Sequence, residues 1–333
     1  MIRRPCTATI GAAFALHALG CAAPRDVDRV DVAPAANTPA SPPLRQPFAL
    51  GSASGWTLRT PTHTIHTTVK SKSLEAQLAP FAAAALADQT SSIATLPRPD
   101  ALLEMYVAAN RPQWATLTTR LMRERAPEFL RIDRGGFTAR GTAVLFDIGG
   151  RDTLALLAHE HWHAYTQTTF RQPLPTWLEE GLGTYFEGFV TDRSQPGGVR
   201  FLPWANVERF DQLRDAEAAG TLMWLPELLV GTPGRMLDEG QDSTLGYYAQ
   251  LWALVHFLVE HDNGRYRDAL ERVLQEAATG SPRRARGAVE LFTREFDSDL
   301  VRAQREYHAF VREIVRVGAK DLIVRGESPV TLP

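Results

Sequence analysis

The residues best suited to chemistry are His159, Glu160 and His163, which form the pattern His-Glu-x-x-His. On a helix of 3.6 residues per turn, histidines at positions i and i+4 lie about 40° from a common line, so both imidazoles can reach one metal ion. Glu160 lies between them in angle. It is too close in sequence to be a comfortable third ligand, but well placed to hold a metal-bound water. The pattern predicts a zinc-binding helix with a glutamate as its general base.

A third ligand is expected in the segment 175–187, which follows the histidines and is predicted to be helical after Pro175. A catalytic zinc ion takes three protein ligands and keeps one position open, and two histidines with one glutamate are a standard set. Glu179 and Glu180 are both candidates, and spacing alone does not choose between them.

These two segments resemble the motifs of the gluzincin metallopeptidases, with the nearest similarity to the bacterial peptidase MA-like group. The second family motif reads Trp-Leu-x-Glu-Gly-x-Ala-x-Tyr-x-Glu after a proline. The sequence departs from it at Gly183, where the family usually has alanine, a loss of helix propensity rather than of chemistry. The resemblance implies zinc as the metal, bound by His159, His163 and Glu180. The matched residues are Trp177, Leu178, Glu180, Gly181, Tyr185 and Glu187.

The resemblance also implies an activity, the zinc-dependent hydrolysis of peptide bonds in a peptide or protein substrate, with Glu160 activating a zinc-bound water. Two alternatives stay open. One is a binding or scaffold lipoprotein in which zinc is only structural, and the other is a zinc hydrolase of a non-peptide bond. The intact Glu160 argues against the first, because structural zinc sites use four ligands and need no base. The sequence specifies neither the substrate nor the oligomeric state.

Further residues are expected around the metal. Glu187 lies on the same helix face as Glu180, where it is expected either to hydrogen-bond a ligand histidine or to be solvated. Thr184 is a weaker candidate for the same task. The segment 248–253 reads Tyr-Ala-Gln-Leu-Trp-Ala and is similar to a helix of the peptidase MA-like proteins. Other gluzincins bring a tyrosine hydroxyl to the oxyanion from about this distance downstream. This makes Tyr248, and after it Tyr247, a candidate for that role; a core aromatic is the alternative for each.

Other histidines are not expected to bind the metal. His63 and His66 fall on opposite faces of a predicted strand, so they are not expected to share an ion. His161 lies on the apolar side of the motif helix and is interpreted as a buried, hydrogen-bonded imidazole. His256 is interpreted as a core or surface histidine.

Composition sets the limits for the fold and its partners. The chain has 333 residues, 44% of them hydrophobic, enough for one large domain with or without a subdomain. Its formal charge of −2 gives no indication of nucleic-acid binding. The only cysteines are Cys6 and Cys21, so the rest of the chain offers neither a disulfide nor a thiolate ligand.

Residues 1–21 are predicted to be a lipoprotein signal peptide. Arg3 and Arg4 precede a short apolar stretch at 10–19, which is too short to span a bilayer as a finished helix. The stretch ends Ala-Leu-Gly-Cys, which resembles a lipobox with its first two residues in an unusual order. The resemblance implies lipidation at Cys21 and a membrane-anchored protein of the bacterial cell envelope. Ordinary signal-peptide cleavage near Ala23 is the alternative.

The remaining chain is expected to hold a Pro/Ala-rich disordered tether at 22–50, one domain at 55–317 and a C-terminal tail at 318–333. The predicted fold is α+β, and the resemblance adds a zincin-type core with a small N-terminal α+β lobe and C-terminal helices. The strand at 141–148 is interpreted either as a sheet edge that pairs with substrate or as a core strand. Residues 191–240 are expected to be loop-rich. Predicted strands lie at 60–69, 101–108 and 141–148, and predicted helices at 74–86, 114–125, 152–168, 247–259, 265–278 and 288–317.

Overall fold

A computed structural model describes residues 42–280 and 287–330 and confirms the α+β class. The predicted signal peptide, including Cys21, lies outside these residues, as does the first part of the predicted tether. The strands are β1 (Leu44–Leu50), β2 (Ala53–Arg59), β3 (His63–Thr67), β4 (Leu103–Ala108), β5 (Gly136–Ala139), β6 (Thr142–Phe146), β7 (Phe189–Thr191) and β8 (Val199–Phe201).

The helices separate into those that flank the sheet and those that form a second, helical part of the domain. The first group is α1 (Lys72–Gln89), α2 (Arg111–Met122), α3 (Ala126–Phe129) and α4 (Gly150–Thr169). The second group is α5 (Thr176–Tyr185), α6 (Val207–Ala218), α7 (Leu225–Val230), α8 (Pro233–Glu239), α9 (Gln241–Gly264), α10 (Arg267–Thr279), α11 (Ala288–Glu295), α12 (Leu300–Ile314) and α13 (Ala319–Arg325).

The main sheet has six strands in the order β1-β2-β3-β4-β6-β5. The pairs β3–β4 and β4–β6 are parallel, and the other three pairs are antiparallel. β6 is therefore an interior strand and β5 is the edge beside it. The interpretation of 141–148 as a sheet edge is wrong, because the chain first passes through β5 and then folds back through a tight turn at Gly141.

Alternating side chains of β6 enter two different cores. Ala143 and Leu145 pack toward α1 and α4, whereas Val144 and Phe146 pack toward α2. A strand covered on both faces reads as a continuous apolar run, as the segment 143–146 does. α4 is buried on nearly every side because its other face packs on the helical part of the domain, through residues such as Trp162.

Several predicted boundaries are wrong. Residues 44–50, placed in the tether, form β1 by pairing with β2. The segment 191–240 contains three helices, α6 to α8, and the predicted tail contains α13, which packs on α6. These helices are short and lack a long apolar repeat, which is the pattern that predicts a helix. Their starts depend instead on local caps, such as Asn206 before α6. Within the described residues, no helix has both the length and the apolar character needed to cross a membrane.

Candidate metal centre

Three donor atoms converge where α4 meets α5. His159 and His163 lie one turn apart on α4, and their Nε2 atoms are 3.1 Å apart. Glu180 on α5 places its Oε2 atom 3.4 Å from each of these nitrogens. All three side chains are buried, and together they form a group that could hold a metal ion.

The spacing of the donors fits a tetrahedral zinc ion. Zinc binds histidine nitrogen and carboxylate oxygen at about 2.0–2.1 Å, so two ligand atoms on a tetrahedron lie about 3.3–3.4 Å apart. The observed separations of 3.1, 3.4 and 3.4 Å match this value without rearrangement. The donor set of two nitrogens and one carboxylate oxygen also suits zinc better than calcium or magnesium, which prefer oxygen ligands alone.

Each of the two histidines is hydrogen-bonded to a carboxylate outside the donor group. Nδ1 of His159 lies 2.9 Å from Oε1 of Glu187, and Nδ1 of His163 lies 2.9 Å from Oε1 of Glu179. Because an ionised carboxylate only accepts hydrogen bonds, each Nδ1 carries a proton, and Nε2 is the ring atom left to bind a metal ion once its own proton is lost. Glu187 therefore forms the expected hydrogen bond to His159, whose role as a metal ligand stays a prediction.

The pocket stabilises positive charge. Burial lowers the pKa of His159, but its hydrogen bonds to Glu180 and Glu187 outweigh this effect and raise the pKa to about 9. Burial raises the pKa of Glu180, but His163 and His159 outweigh it and lower the pKa to about 2. The same charges that favour protons on the histidines favour a divalent cation, which must displace those protons to bind.

Glu160 faces the centre without belonging to the donor group. Its Oε2 atom accepts a hydrogen bond of 2.7 Å from the hydroxyl of Thr138, which lies on the edge strand β5. Alternation along β5 sends Phe137 into the core on the α2 side and turns Thr138 toward α4. Burial raises the pKa of Glu160, while His159 and His163 act in the opposite direction. A carboxylate with a raised pKa is suited to accept and return a proton near neutral pH.

The donor group opens into a cavity of about 1330 Å³. Residues of β5, Glu160 and Tyr248 line it. The Tyr248 ring lies 5.9 Å from the ring of His159, between centroids, and burial raises its pKa well above the usual value, so its hydroxyl stays a donor. Tyr247 points elsewhere: it is fully buried and donates a hydrogen bond of 2.8 Å to the carbonyl of Gly231. Of the two tyrosines, only Tyr248 lies at the centre.

Thr184 does not orient a ligand. Its hydroxyl contacts the carbonyl oxygens of Gly181 and Glu180 at 2.7 and 3.1 Å, within its own helix, so the expectation for this residue is wrong. Gly183 has more importance than its helix propensity indicates. A Cβ atom at this position would lie 3.0 Å from Cε1 and 3.1 Å from Nδ1 of His159, so glycine leaves room for the ligand ring.

The four other histidines singled out in the sequence, all among the described residues, lie away from the centre. His161 is buried on the opposite face of α4, with its Nε2 atom 2.8 Å from that of His63 and its Nδ1 atom 2.6 Å from Gln89. His66 points to the other face of β3 and contacts Thr57. His256 is a core residue that stacks on Trp204, with ring centroids 3.5 Å apart.

The sequence did not indicate the roles of four residues at the centre. Thr138 bonds Glu160, Glu179 orients His163 rather than serving as a ligand, and Asn206 and Arg209 both donate to Glu187. Thr138 and Arg209 come from segments far from both motifs, and nothing in their local sequence signals their role. Glu179 could have been found, since a glutamate beside a predicted ligand on the same helix turn can reach a neighbouring histidine.

Comparison with known sequences adds one finding. Residues 154–283, less than half of the chain, match a family described as "Protein of unknown function (DUF1570)". The matched region begins in α4 and includes both motifs, so all three donors lie in the part of the chain that matches that family, whereas Thr138 lies outside it. No curated protein matches the chain.

Proposed function

We propose that this protein is a zinc-dependent peptidase of the gluzincin type with a zincin-type core. The observation that carries the proposal is that three donors at tetrahedral spacing share a cavity with a fourth group, Glu160, that is not one of them. A structural zinc site has four protein ligands and is closed to solvent. Among the described residues, this centre offers three donors, and its remaining side opens into the cavity.

A zinc ion held by His159, His163 and Glu180 would polarise a carbonyl group and lower the pKa of a water molecule beside it. Glu160 takes a proton from that water as the water oxygen bonds to the carbonyl carbon. Thr138 holds the Glu160 carboxylate in place for this step. Glu160 then gives the proton to the amide nitrogen as the carbon–nitrogen bond breaks, which leaves a carboxylate and an amine.

Tyr248 supplies a hydrogen bond to the negatively charged oxygen that forms on the carbonyl carbon. Its hydroxyl keeps its proton at neutral pH because burial raises its pKa, and preorganised donors of this kind stabilise charge that develops in a transition state. Tyr247 cannot share this role while its hydroxyl donates to Gly231.

A peptide substrate is favoured over other hydrolysable bonds by the edge strand. β5 pairs with β6 on one side only and lines the cavity with Gly136 and Thr138, so its outer backbone groups can hydrogen-bond an extended chain. Pairing of this kind uses backbone groups and accepts peptides of varied sequence. Export to the cell envelope and lipidation at Cys21 stay predictions of the sequence.

The test is the substitution Glu160→Gln. Glutamine keeps the size of the side chain but cannot take up the proton, so cleavage of casein or a broad peptide library should fall by about 10²–10⁴-fold. Zinc content and melting temperature should stay near those of the wild type, because Glu160 is not a ligand. Glu124→Gln, at an exposed site, is the matched control.

Wild-type protein treated with a metal chelator serves as the metal-free control. If zinc-loaded wild type cleaves no peptide, the peptidase proposal fails and a non-peptide hydrolase or a binding protein becomes the better interpretation. If the Glu160→Gln variant cleaves as fast as the wild type, Glu160 is not the base.

A further inference from the structure

Glu187 is the most heavily hydrogen-bonded carboxylate of the centre. Besides Nδ1 of His159, its Oε1 atom accepts from Nη2 of Arg209 at 2.8 Å, and its Oε2 atom accepts from Nε of Arg209 at 2.9 Å. Nδ2 of Asn206 adds a further bond of 2.9 Å to Oε2. The guanidinium group thus binds both oxygens in the two-pronged geometry that fixes a carboxylate in direction as well as in distance.

The start of α6 places these two donors. Asn206 is the cap of α6: its Oδ1 atom accepts from the backbone N–H of Arg209, while its Nδ2 atom points to Glu187. Arg209 lies in the first turn of the same helix, and its guanidinium carbon is 5.3 Å from the centroid of the Tyr248 ring. One helix end therefore contacts both the carboxylate behind a ligand histidine and the tyrosine at the cavity.

The two ligand histidines are supported unequally. Glu179, behind His163, also contacts the hydroxyl of Thr166, and no ion pair joins it to an arginine or lysine among the described residues. Glu187, which bonds Nδ1 of His159, is buried and forms an ion pair with Arg209, whose side chain is only 14% exposed. A buried carboxylate that loses its cation is left with an uncompensated charge, so Glu187 depends on Arg209 more than Glu179 depends on its neighbours.

We propose that Arg209 is a positioning residue: through Glu187 it locks the ring of His159 in the direction that metal binding needs, and it aligns Tyr248 in the same contact. This inference rests on the proposed function, because it takes His159 to be a metal ligand. Arg209 touches neither the metal donors nor a reacting atom in this role. Its effect on the centre passes through Glu187 and the tyrosine ring.

The experiment measures metal binding by the full chain, independently of catalysis. The variants are Arg209→Met, which removes the charge and the hydrogen bonds, and Arg209→Lys, which keeps the charge but not the two-pronged geometry. The control is Arg214→Met, on the same helix but in a partly exposed ion pair with Asp211 that has no contact with Glu187. Zinc affinity is measured by competition with a chromophoric chelator, and the absorption spectrum of the cobalt-loaded protein reports ligand geometry.

Arg209→Met should bind zinc about 10–100-fold more weakly than the wild type and give an altered cobalt spectrum, as loss of outer-shell support does at other metal sites. The zinc affinity of Arg209→Lys should lie between those of Arg209→Met and the wild type, and Arg214→Met should match the wild type. A residue with only a structural role would lower the melting temperature of the metal-free protein and leave the affinity and the cobalt spectrum unchanged, which would overturn the inference.

A double-substitution cycle keeps the test decisive if Arg209→Met does not fold. Glu187→Gln removes the charge that needs Arg209, so Arg209→Lys should cost less zinc affinity in the Glu187→Gln protein than in the wild type. Additive losses would show that Arg209 does not act through Glu187. Wild-type protein that binds neither zinc nor cobalt would remove the proposed function as well, whereas a metal-binding wild type with unaffected variants would remove this inference alone.

Discussion

Glu179 and Glu180 are adjacent on α5, yet the structure gives them different relations to the same histidine. Oε2 of Glu180 lies 3.4 Å from the Nε2 atoms of both His159 and His163, whereas Oε1 of Glu179 lies 2.9 Å from Nδ1 of His163, on the far side of the ring. Replacing each glutamate by alanine should therefore have two distinct effects. Glu180→Ala removes a donor, and Glu179→Ala removes only the group that orients one.

The sizes of the two effects follow from these positions. A catalytic zinc site takes three protein ligands, so Glu180→Ala, with two nitrogens left, should lose its zinc in dialysis against a buffer of low free zinc. Glu179→Ala keeps all three donors and loses an outer-shell hydrogen bond. Its zinc affinity should fall by about 10–100-fold, which corresponds to about 1.4–2.7 kcal/mol. The family motif assigns the ligand role to Glu180 and gives no role to Glu179.

The assay is chelator competition, together with the zinc content of each protein after dialysis, and Glu124→Ala serves as the exposed control. Zinc affinity should be lowest in Glu180→Ala and higher in Glu179→Ala, and Glu124→Ala should equal the wild type. If Glu179→Ala lost its zinc while Glu180→Ala kept it, the ligand would be misassigned by one residue. A Glu179→Ala protein with wild-type affinity would refute the orienting role of its hydrogen bond.

Three further predictions concern a rate, a contact and a pH response. Tyr248→Phe should lower the rate of peptide cleavage by about 10²–10³-fold with zinc retained. Tyr247→Phe should instead lower the stability by about 1–3 kcal/mol, because the Gly231 carbonyl loses its donor. Equal cleavage rates for the two variants would contradict this prediction. Gly183→Ala gains up to about 1 kcal/mol of helix propensity, but its Cβ atom would crowd the ring of His159. Chelator competition should therefore show weaker zinc binding. An unchanged zinc affinity would mean that the His159 ring moves freely. Burial lowers the pKa of His63 from 6.5 to about 4, so the folded state takes up this proton less readily than the unfolded chain. In urea unfolding of the metal-free protein, His63 should therefore contribute a loss of stability, on the order of 3 kcal/mol, as the pH falls from 6.5 toward 4. This contribution is measured as the difference between the wild-type and His63→Phe curves, because burial raises the pKa of Asp88 to about 6 and that group acts in the opposite direction. His63→Phe should show a shallower loss, and parallel pH curves would contradict the prediction.

The sequence alone determined the parts of the centre that depend on local periodicity. His159, Glu160 and His163 are brought to one region by a single helix, so their spacing is already fixed in the sequence. The α+β class followed in the same way from apolar runs and helical repeats, such as the predicted strand at 141–148 and the predicted helix at 247–259. The choice of Glu180 over Glu179 came from the motif and not from spacing.

The tertiary structure decided everything that depends on distance between segments. The roles of Glu179, Thr138 and Arg209 appear only when α5 and β5 pack against α4 and the start of α6 reaches the segment after α5. Each residue acts through a hydrogen bond to a residue distant in the sequence. The same packing separates Tyr248 at the cavity from Tyr247 in the core. Adjacent residues on a helix point about 100° apart, and the direction of the cavity is set by the neighbouring elements rather than by the helix itself.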